Sequence, residues 1–386
     1  MPRRTILEPR HYRLDDLLRR PLSPGIAFGS GGGDLSVEGA AGWGFDGAAT
    51  FRGVTIPAPL SLSVWVEGSP VFPADGVYRP SHVTVNARDD ETGLQISEDK
   101  FVSEDDVLIS VLSLRNPGEW SVEVSIRLQW GIPRGERTDG NGAPFFASRF
   151  APNMQDRRFT LASGARTRLV CTLALASDDR YAHGPGETAR RRAESHVDDP
   201  SVIVTHADAF QKWAEAHTPR FDCPDPWVSR AWYHACHLRR KYPHRVPAPV
   251  EDGPLTLAAF TEMARRGFAD GKFDAPSDKP APFLPDVFAR RVLGLHTEGD
   301  TLTVRPAPDL GSWQSFCVEN YDCGGRSLSV VWDAPDAPGD AYDDGDKGFT
   351  IYGSDSVLHR QTDLSPCFVP VLPGQGDGEE DDEANG

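Results

Sequence analysis

The strongest constraint on the fold is a period-two alternation of apolar and polar residues in the first half of the chain. The stretch LSLSVWVEG places four apolar residues on one face of an extended chain: Leu60, Leu62, Val64 and Val66. The stretch EWSVEVSIRLQWG repeats the pattern and predicts a second inward face, formed by Trp120, Val122, Val124, Ile126, Leu128 and Trp130. Strands buried on one side and solvated on the other show this alternation, so the sequence predicts antiparallel sheets.

Further strand segments fill residues 34–176, and turns rich in glycine, aspartate and proline separate them. The stretch RFTLASGARTRLVCTLALAS predicts a hairpin that turns at Ser163–Gly164. No helical pattern interrupts these strands. Many short strands with turns between them favour an antiparallel β-sandwich.

The period changes to that of helices after residue 180. The stretches ETARRRAESH and DPSVIVTHADAFQKWAEAH predict two helices, and GPLTLAAFTEMARRGFADGK predicts a later one. Between them, Asp225 is a good N-cap and Pro226 a good first helical residue for a helix through WVSRAWYHACHLRR. From about residue 290 the chain returns to short strands with glycine and aspartate turns.

These patterns predict a mainly β protein with a large N-terminal antiparallel β-sandwich, a short helical bridge and a small C-terminal β-sandwich. The expected segments are an N-terminal arm (1–33), the large sandwich (34–180), the bridge (181–294), the small sandwich (295–373) and a disordered acidic tail (374–386).

Charge, cysteines and the N-terminus narrow the possible functions. The formal net charge is −17, which repels phosphate backbones and argues against a nucleic-acid partner. None of the 6 cysteines forms a C-x-x-C pair, so we expect reduced thiols and no metal site. The run GSGGGD lacks the frame of a nucleotide-binding loop, and we expect no cofactor. With no signal peptide and no long apolar run, a cytoplasmic protein without membrane contact is expected.

Aromatic and basic residues concentrate in the stretch DCPDPWVSRAWYHACHLRRKYPHR. Trp227 and Trp232 would suit stacking on the faces of sugars, and His234 and Arg239 would suit hydrogen bonds to sugar hydroxyls. The alternative is that both tryptophans pack against a sandwich, while Arg239 near the helix C-terminus interacts with the helix dipole. His234 and His237 have i, i+3 spacing, which fits buried or solvated histidines better than metal ligands.

Three segments resemble the six-hairpin (α/α) toroid glycosidases, particularly the mannosylglycerate-hydrolase-like branch. The family's passage from its N-terminal sandwich into the toroid is similar to FQKWAEAHTPRFDCPDPWVSRAWYHACHLRR. Its exit into the C-terminal sandwich is similar to FLPDVFARRVLGLHTEGDTLTVRPAPDLGSWQSFCVENYDCGGRSLSVVWD. The third segment, SEDKFVSEDDVLISVLSLRN, is typical of the preceding sandwich. The resemblance implies a role in carbohydrate metabolism, with Asp286 at the position of a catalytic carboxylate.

The sequence also departs from this family. The toroid helices should lie between Tyr242 and Pro285, and that interval has room for one helical hairpin at most. His234 stands where relatives often carry an arginine, and PAPFLPD replaces the usual His-Ser-x-Tyr-like run before the aspartate. Hydrolysis of a glycoside needs two carboxylates roughly 5–10 Å apart, and only Asp286 matches the family pattern.

We therefore predict a non-catalytic carbohydrate-associated protein that binds a saccharide or a partner glycosidase. One alternative is a glycoside hydrolase whose reduced active site, containing Asp286, is completed in a dimer. Another is a purely structural subunit. Loss of the toroid would leave apolar faces uncovered, so each interpretation predicts a homo- or hetero-oligomer.

Overall fold

The structure is a computed structural model. It describes residues 6–7, 13–22, 27–29, 33–39, 41–129, 131, 145–151, 156–176, 184–197, 199, 201–241, 248–250, 253–269, 283–342, 347–353 and 356–370. The predicted disordered tail lies outside these residues. In the described part, strands predominate over helices and each strand pair is antiparallel, which confirms the prediction of a mainly β fold.

The N-terminal half contains three antiparallel sheets. A seven-stranded sheet has the order β1 (Arg20–Pro21), β9 (Asp75–Tyr78), β10 (Val83–Arg88), β11 (Gln95–Val102), β12 (Val107–Arg115), β16 (Arg166–Ala176) and β14 (Phe145–Ala151). A five-stranded sheet has the order β15 (Asp156–Leu161), β13 (Val122–Gln129), β7 (Leu60–Val66) and β4 (Gly44–Phe45), with β8 (Ser69–Val71) paired to β7. A four-stranded sheet consists of β2 (Ala27–Gly29), β3 (Leu35–Glu38), β5 (Ala48–Phe51) and β6 (Val54–Pro57).

One hydrophobic core joins these three sheets. The alternating residues of β7 are all buried in it, as the sequence predicts, and they share it with inward residues of β11, β12 and β13. The core also holds an ion pair between Glu98 and Lys100, whose side chains are fully buried 3.6 Å apart. Glu98 accepts a hydrogen bond from Gly44 N at 2.9 Å, and Lys100 donates to Gly44 O at 2.6 Å. The pair therefore fastens β4 to the larger sheet.

Two predictions for this half are wrong in detail. Trp120 is 81% exposed because it precedes β13, which begins at Val122; Trp130 lies outside the described residues. The turn at Ser163–Gly164 exists, but it does not form a hairpin, since β15 pairs with β13 while β16 pairs with β12. The turn instead connects two sheets, and the buried Asn116 side chain holds it by donating to Leu161 O at 3.0 Å.

The helices are α1 (Leu14–Leu17), α2 (Pro185–Val197), α3 (Val202–His217), α4 (Pro226–Lys241), α5 (Leu257–Ala269) and α6 (Leu284–Val287), which continues as a π-helical turn (Phe288–Val292). The C-terminal half contains two antiparallel sheets. The larger sheet has the order β17 (Arg220–Asp222), β20 (Ser315–Asp322), β21 (Ser327–Asp333), β22 (Gly348–Tyr352) and β23 (Val357–Gln361), of which β17 precedes α4 in sequence. The smaller sheet has the order β18 (His296–Glu298), β19 (Thr301–Val304) and β24 (Cys367–Pro370). Among the described residues, no helix is both long and apolar enough to cross a membrane.

The helices divide between two cores. Helix α2 packs on the outer face of the seven-stranded sheet, whereas α4, α5 and α6 share a core with the C-terminal sheets. At the centre of the second core, the rings of Trp232 and Phe221 stack 4.4 Å apart, and Phe288 meets Trp232 edge-on. The helices around α4 thus extend the C-terminal unit. The segment boundaries expected from the sequence stay a prediction.

The N-terminal arm contacts both halves of the molecule. Ile6 and Leu7 pack beside Cys317 and Val331 of the C-terminal sheet, and Ile6 N donates to Glu319 Oε1 at 2.7 Å. Further along the arm, α1 joins the core around α4, and β1 forms an edge strand of the seven-stranded sheet. The arm therefore ties the N-terminal sheets, the helices and the C-terminal sheets together.

Candidate functional site

Helix α4 begins as the sequence predicts. Asp225 Oδ1 accepts hydrogen bonds from Trp227 N at 2.9 Å and Val228 N at 3.3 Å, which is the geometry of an N-cap. The other oxygen of this carboxylate accepts from Arg265 of α5 at 2.5 Å. Both oxygens of Asp225 are therefore engaged in joining and starting helices.

The two tryptophans of α4 lie in different surroundings. Trp232 is fully buried, and its indole Nε1 donates to Pro219 O at 2.9 Å. Trp227 is 41% exposed, and the guanidinium of Arg230 lies 5.4 Å from the centre of its ring. A stacking platform for a sugar needs an exposed ring face, and of this pair Trp227 alone has one.

His234 and His237 lie in the interior, with ring centres 6.3 Å apart. His237 Nε2 is 2.9 Å from the hydroxyl of Tyr78 on β9, and its ring meets Phe210 of α3 edge-on. These histidines therefore contribute to the contact between the helices and the seven-stranded sheet. Among the described residues, no three histidine, cysteine or carboxylate side chains are grouped as a metal site, and the 6 cysteines are free thiols.

The structure brings Asp286 and Arg239 to a common neighbour, the buried Cys236. Burial raises the pKa of the Cys236 thiol, the charge of Asp286 adds to that rise, and Arg239 opposes it. The hydroxyl of Tyr321 donates to Asp286 Oδ1 at 2.9 Å, while Arg239 lies 4.8 Å from the ring centre of Phe283. Burial, followed by the charge of Asp286, raises the pKa of Tyr321, so Tyr321 stays protonated as a donor.

The residues predicted to form one site therefore separate into three groups. Asp286 and Arg239 lie at the C-terminal end of α4, and Trp227 lies at its N-terminal end, about 18 Å away along the helix axis. Trp232 and His234 are inside the protein. This arrangement supplies one half-buried carboxylate held by a tyrosine. The use of the predicted site residues in substrate binding or catalysis stays a prediction.

An open cleft of about 800 Å³ lies elsewhere, on the outer face of the seven-stranded sheet. Its floor consists of β9, β10, β11, β12 and β16, which are held in continuous antiparallel register. The sequence predicts strands in this region but not the cleft, because the alternation shows which side chains point outward without showing which strands become neighbours.

Polar side chains cross the floor of the cleft in two rows. The first row runs through directly paired positions of four neighbouring strands: Asn86, Ser97, Ser113 and Arg168. The second row lies two residues further along the same strands: Arg88, Gln95, Arg115 and Arg166. Neighbouring strands are about 4.8 Å apart, so each row extends over roughly 14 Å.

The cleft offers groups that both donate and accept hydrogen bonds. Asn86 Nδ2 donates to Asp75 Oδ1 at 2.8 Å, which orients the amide at one end of the first row. Amide, hydroxyl and guanidinium side chains follow one another across the floor, and each of them is exposed or half-buried. Because the side chains stand on paired strands, their spacing is set by the sheet.

No protein-family model matches the sequence, and no curated protein matches it either. One similar solved structure is a putative kojibiose phosphorylase from human microbiome, with a TM-score of 0.38 and 8% identity over 62% of this chain and 43% of that chain. A sialidase has a TM-score of 0.23 and 16% identity over 39% of this chain and 15% of that chain.

The chain thus spans less than half the length of either solved structure. Both names describe carbohydrate-active proteins. Since both TM-scores lie below 0.5, neither likeness is evidence of a shared fold or activity.

Proposed function

We propose that this protein is a non-catalytic carbohydrate-associated protein whose saccharide ligand lies in the cleft of the seven-stranded sheet. The observation that supports this proposal best is the pair of polar rows at fixed cross-strand spacing. A saccharide presents hydroxyls that donate and accept hydrogen bonds, and Asn86, Ser97, Ser113 and Gln95 offer complementary groups. A sheet positions such groups more rigidly than a loop does.

The surroundings of Asp286 support the non-catalytic part of the proposal. Its hydrogen-bond partner among the described residues is the Tyr321 hydroxyl, not a second acid. Hydrolysis needs a proton donor and a second carboxylate on opposite sides of the glycosidic bond. The hydrogen bond between Tyr321 and Asp286 joins β20 to α6, and this structural contact requires no catalytic role for Asp286.

The second candidate is a glycoside hydrolase whose active site is completed by a second copy of the chain. The observation in its favour is that Asp286 is half-buried, with Arg239 and Tyr321 in its neighbourhood. A structural subunit, or a protein that binds a partner glycosidase of the six-hairpin kind, would use surfaces other than the cleft. The homo- or hetero-oligomer expected from the sequence is tested by light scattering, which measures the molar mass of the purified chain in solution.

Binding is tested by a glycan array followed by calorimetry with three proteins. The wild type is expected to bind at least one saccharide, and Ser113→Trp, which fills the cleft, is expected to lose that binding. Trp227→Ala is the control at the other exposed candidate and should bind as the wild type does. Binding that survives Ser113→Trp but is lost in Trp227→Ala would move the site to α4 and contradict the cleft.

Catalysis is tested with aryl glycosides and with glucosyl- and mannosyl-glycerate, beside an Asp286→Asn variant. We expect no turnover by either protein. Turnover by the wild type that disappears in Asp286→Asn would reject the non-catalytic proposal in favour of the hydrolase.

A further inference from the structure

The second polar row is unusual for its charge. Arg115 on β12 and Arg166 on β16 are direct cross-strand partners, and Arg168 lies two residues along the same face of β16. Like charges placed directly opposite each other destabilise a sheet. Their Cα positions are about 5 Å apart and Arg168 is about 7 Å further along the strand, so three cations converge on one part of the floor.

The described residues supply no counter-charge at ion-pair distance to these arginines. Some arginines elsewhere are paired: Arg158 with Glu123 at 2.5 Å, Arg52 with Asp34 at 2.7 Å, and Arg190 with Glu187 at 2.8 Å. Within the described part of the chain, no carboxylate lies within 4.0 Å of Arg88, Arg115, Arg166 or Arg168.

Three acidic groups border the positive region, and one of them, Asp75, lines the end of the cleft beside Asn86. The acidic turn after β10 adjoins Arg88, so the charge of that arginine is the least isolated. Asp199, between α2 and α3, has a pKa lowered first by Ser201 and to a lesser extent by Arg168. Arg115 and Arg166 therefore carry the least compensated charge, and Arg168 lies at the border of the trio, where Asp199 interacts with it.

The shape of the cleft indicates what kind of anion fits. A guanidinium group binds a carboxylate through two parallel hydrogen bonds, so this trio suits one or two carboxylates. The neutral part of the first row extends from the arginines across Ser113, Ser97 and Asn86, over about 10 Å of sheet. A small inorganic anion would leave these groups unused, whereas an acidic saccharide would occupy both parts.

We propose that the cleft binds an anionic saccharide, a uronic-acid oligomer in chemical class, with its carboxylates on Arg115, Arg166 and Arg168 and its hydroxyls on Asn86, Ser97 and Ser113. This inference rests on the proposed function, which it makes more specific. A free phosphate shares the oxyanion chemistry of such a ligand, and the experiment distinguishes the two.

The test is calorimetric titration of the full chain with a galacturonate oligomer, a neutral galactose oligomer of equal length, inorganic phosphate and a short single-stranded DNA. The wild type is expected to bind the galacturonate oligomer, more weakly at about 0.3 M than at about 0.05 M salt because the contact is ionic. Arg115→Gln/Arg166→Gln should weaken that binding at least about tenfold, since charged hydrogen bonds are lost. Arg158→Gln removes an exposed arginine from another sheet and should change nothing.

Each of the alternative outcomes would refute a specific part of the proposal. Equal binding of the two oligomers, unchanged in the double variant, would refute the anionic ligand while leaving the carbohydrate proposal intact. Phosphate or DNA binding as tight as that of the galacturonate oligomer would show that the arginines respond to charge alone and refute the saccharide assignment. Binding of no saccharide would reject the proposed function together with this inference. Denaturant unfolding of the double variant verifies that any loss of binding occurs in a folded protein.

Discussion

The outer face of the seven-stranded sheet has two halves built from the same strands. Along β12, the outward positions are Ile109 and Val111 in one half and Ser113 and Arg115 in the other. The first half is apolar and is covered by Ala189 and Ala193 of α2, whereas the second is polar and open. The difference shows that alternation alone does not identify a solvated face: the chemistry of the outward residues separates a face that receives a helix from a face available to a ligand.

The largest contrast is expected from truncating one residue in each half of β12. Ile109→Ala should reduce the free energy of unfolding by about 2–5 kcal/mol, because it removes a fully buried side chain beneath α2. Ser113→Ala, four residues along the same face, should stay within about 0.5 kcal/mol of the wild type. Urea unfolding of both variants measures the contrast, and equal losses would show that the two halves are not distinct.

A smaller contrast is expected from polar groups. Thr172 Oγ1, buried under α2, donates to Ala193 O at 2.9 Å, and Thr172→Val removes this hydrogen bond with little change of shape. We expect a loss of about 1–2 kcal/mol. Ser97→Ala in the open half is the matched control and should cost less than about 0.5 kcal/mol. If Thr172→Val proved as stable as the wild type, this contact would not hold α2 on the sheet.

His82, just before the first residue of β10, lies at the covered end of the sheet and should make stability respond to pH. Burial lowers the pKa of His82, against the opposing charges of Asp15 and Asp99, while Arg79 and Arg13 add to the lowering. Ser81 Oγ lies 2.7 Å from His82 Nδ1, within hydrogen-bond distance. A histidine with a lowered pKa in the folded state contributes stability above about pH 6.5 that is lost as the pH falls through its folded value.

We therefore expect the wild type to lose stability as the pH falls below about 6.5, and His82→Gln to show a shallower slope over that range. Thermal unfolding at several pH values measures both slopes. Ser113→Ala is the control, since it lies in the open half, away from His82 and without a titrating group, and should keep the slope of the wild type. Parallel slopes in all three proteins would contradict a role for His82.

The smallest effect should be a gain in stability. Arg115→Gln removes one of two like charges that face each other across β12 and β16, so it should raise the free energy of unfolding by roughly 0.2–0.5 kcal/mol at low salt. The gain should disappear at high salt, where the repulsion is screened. A loss of stability at low salt would show that Arg115 has a favourable partner and would weaken the comparison of the halves.

The elements that depend on local sequence patterns could be predicted from the sequence. The strand at Leu60–Val66 and the start of α4 at Asp225 were predictable, because alternation and capping depend on neighbours in sequence. The failed hairpin at Ser163–Gly164 depends instead on strand partners distant in sequence. The cleft was not predictable for the same reason, since Arg115 and Arg166 meet only after the sheets assemble.

The N-terminal arm has a consequence for synthesis of the chain. Ile6 N reaches Glu319, which lies 313 residues later in the sequence. At ribosomal rates of about 5–20 residues per second, roughly 15–60 s separate the appearance of these two partners. During that time the N-terminal sheets can fold while Ile6 and Leu7 wait, exposed, for the strand that covers them. The contact of Ile6 and Leu7 with the C-terminal sheet is therefore among the last to form, and a substitution at Ile6 would slow this final step rather than the folding of the first sheets.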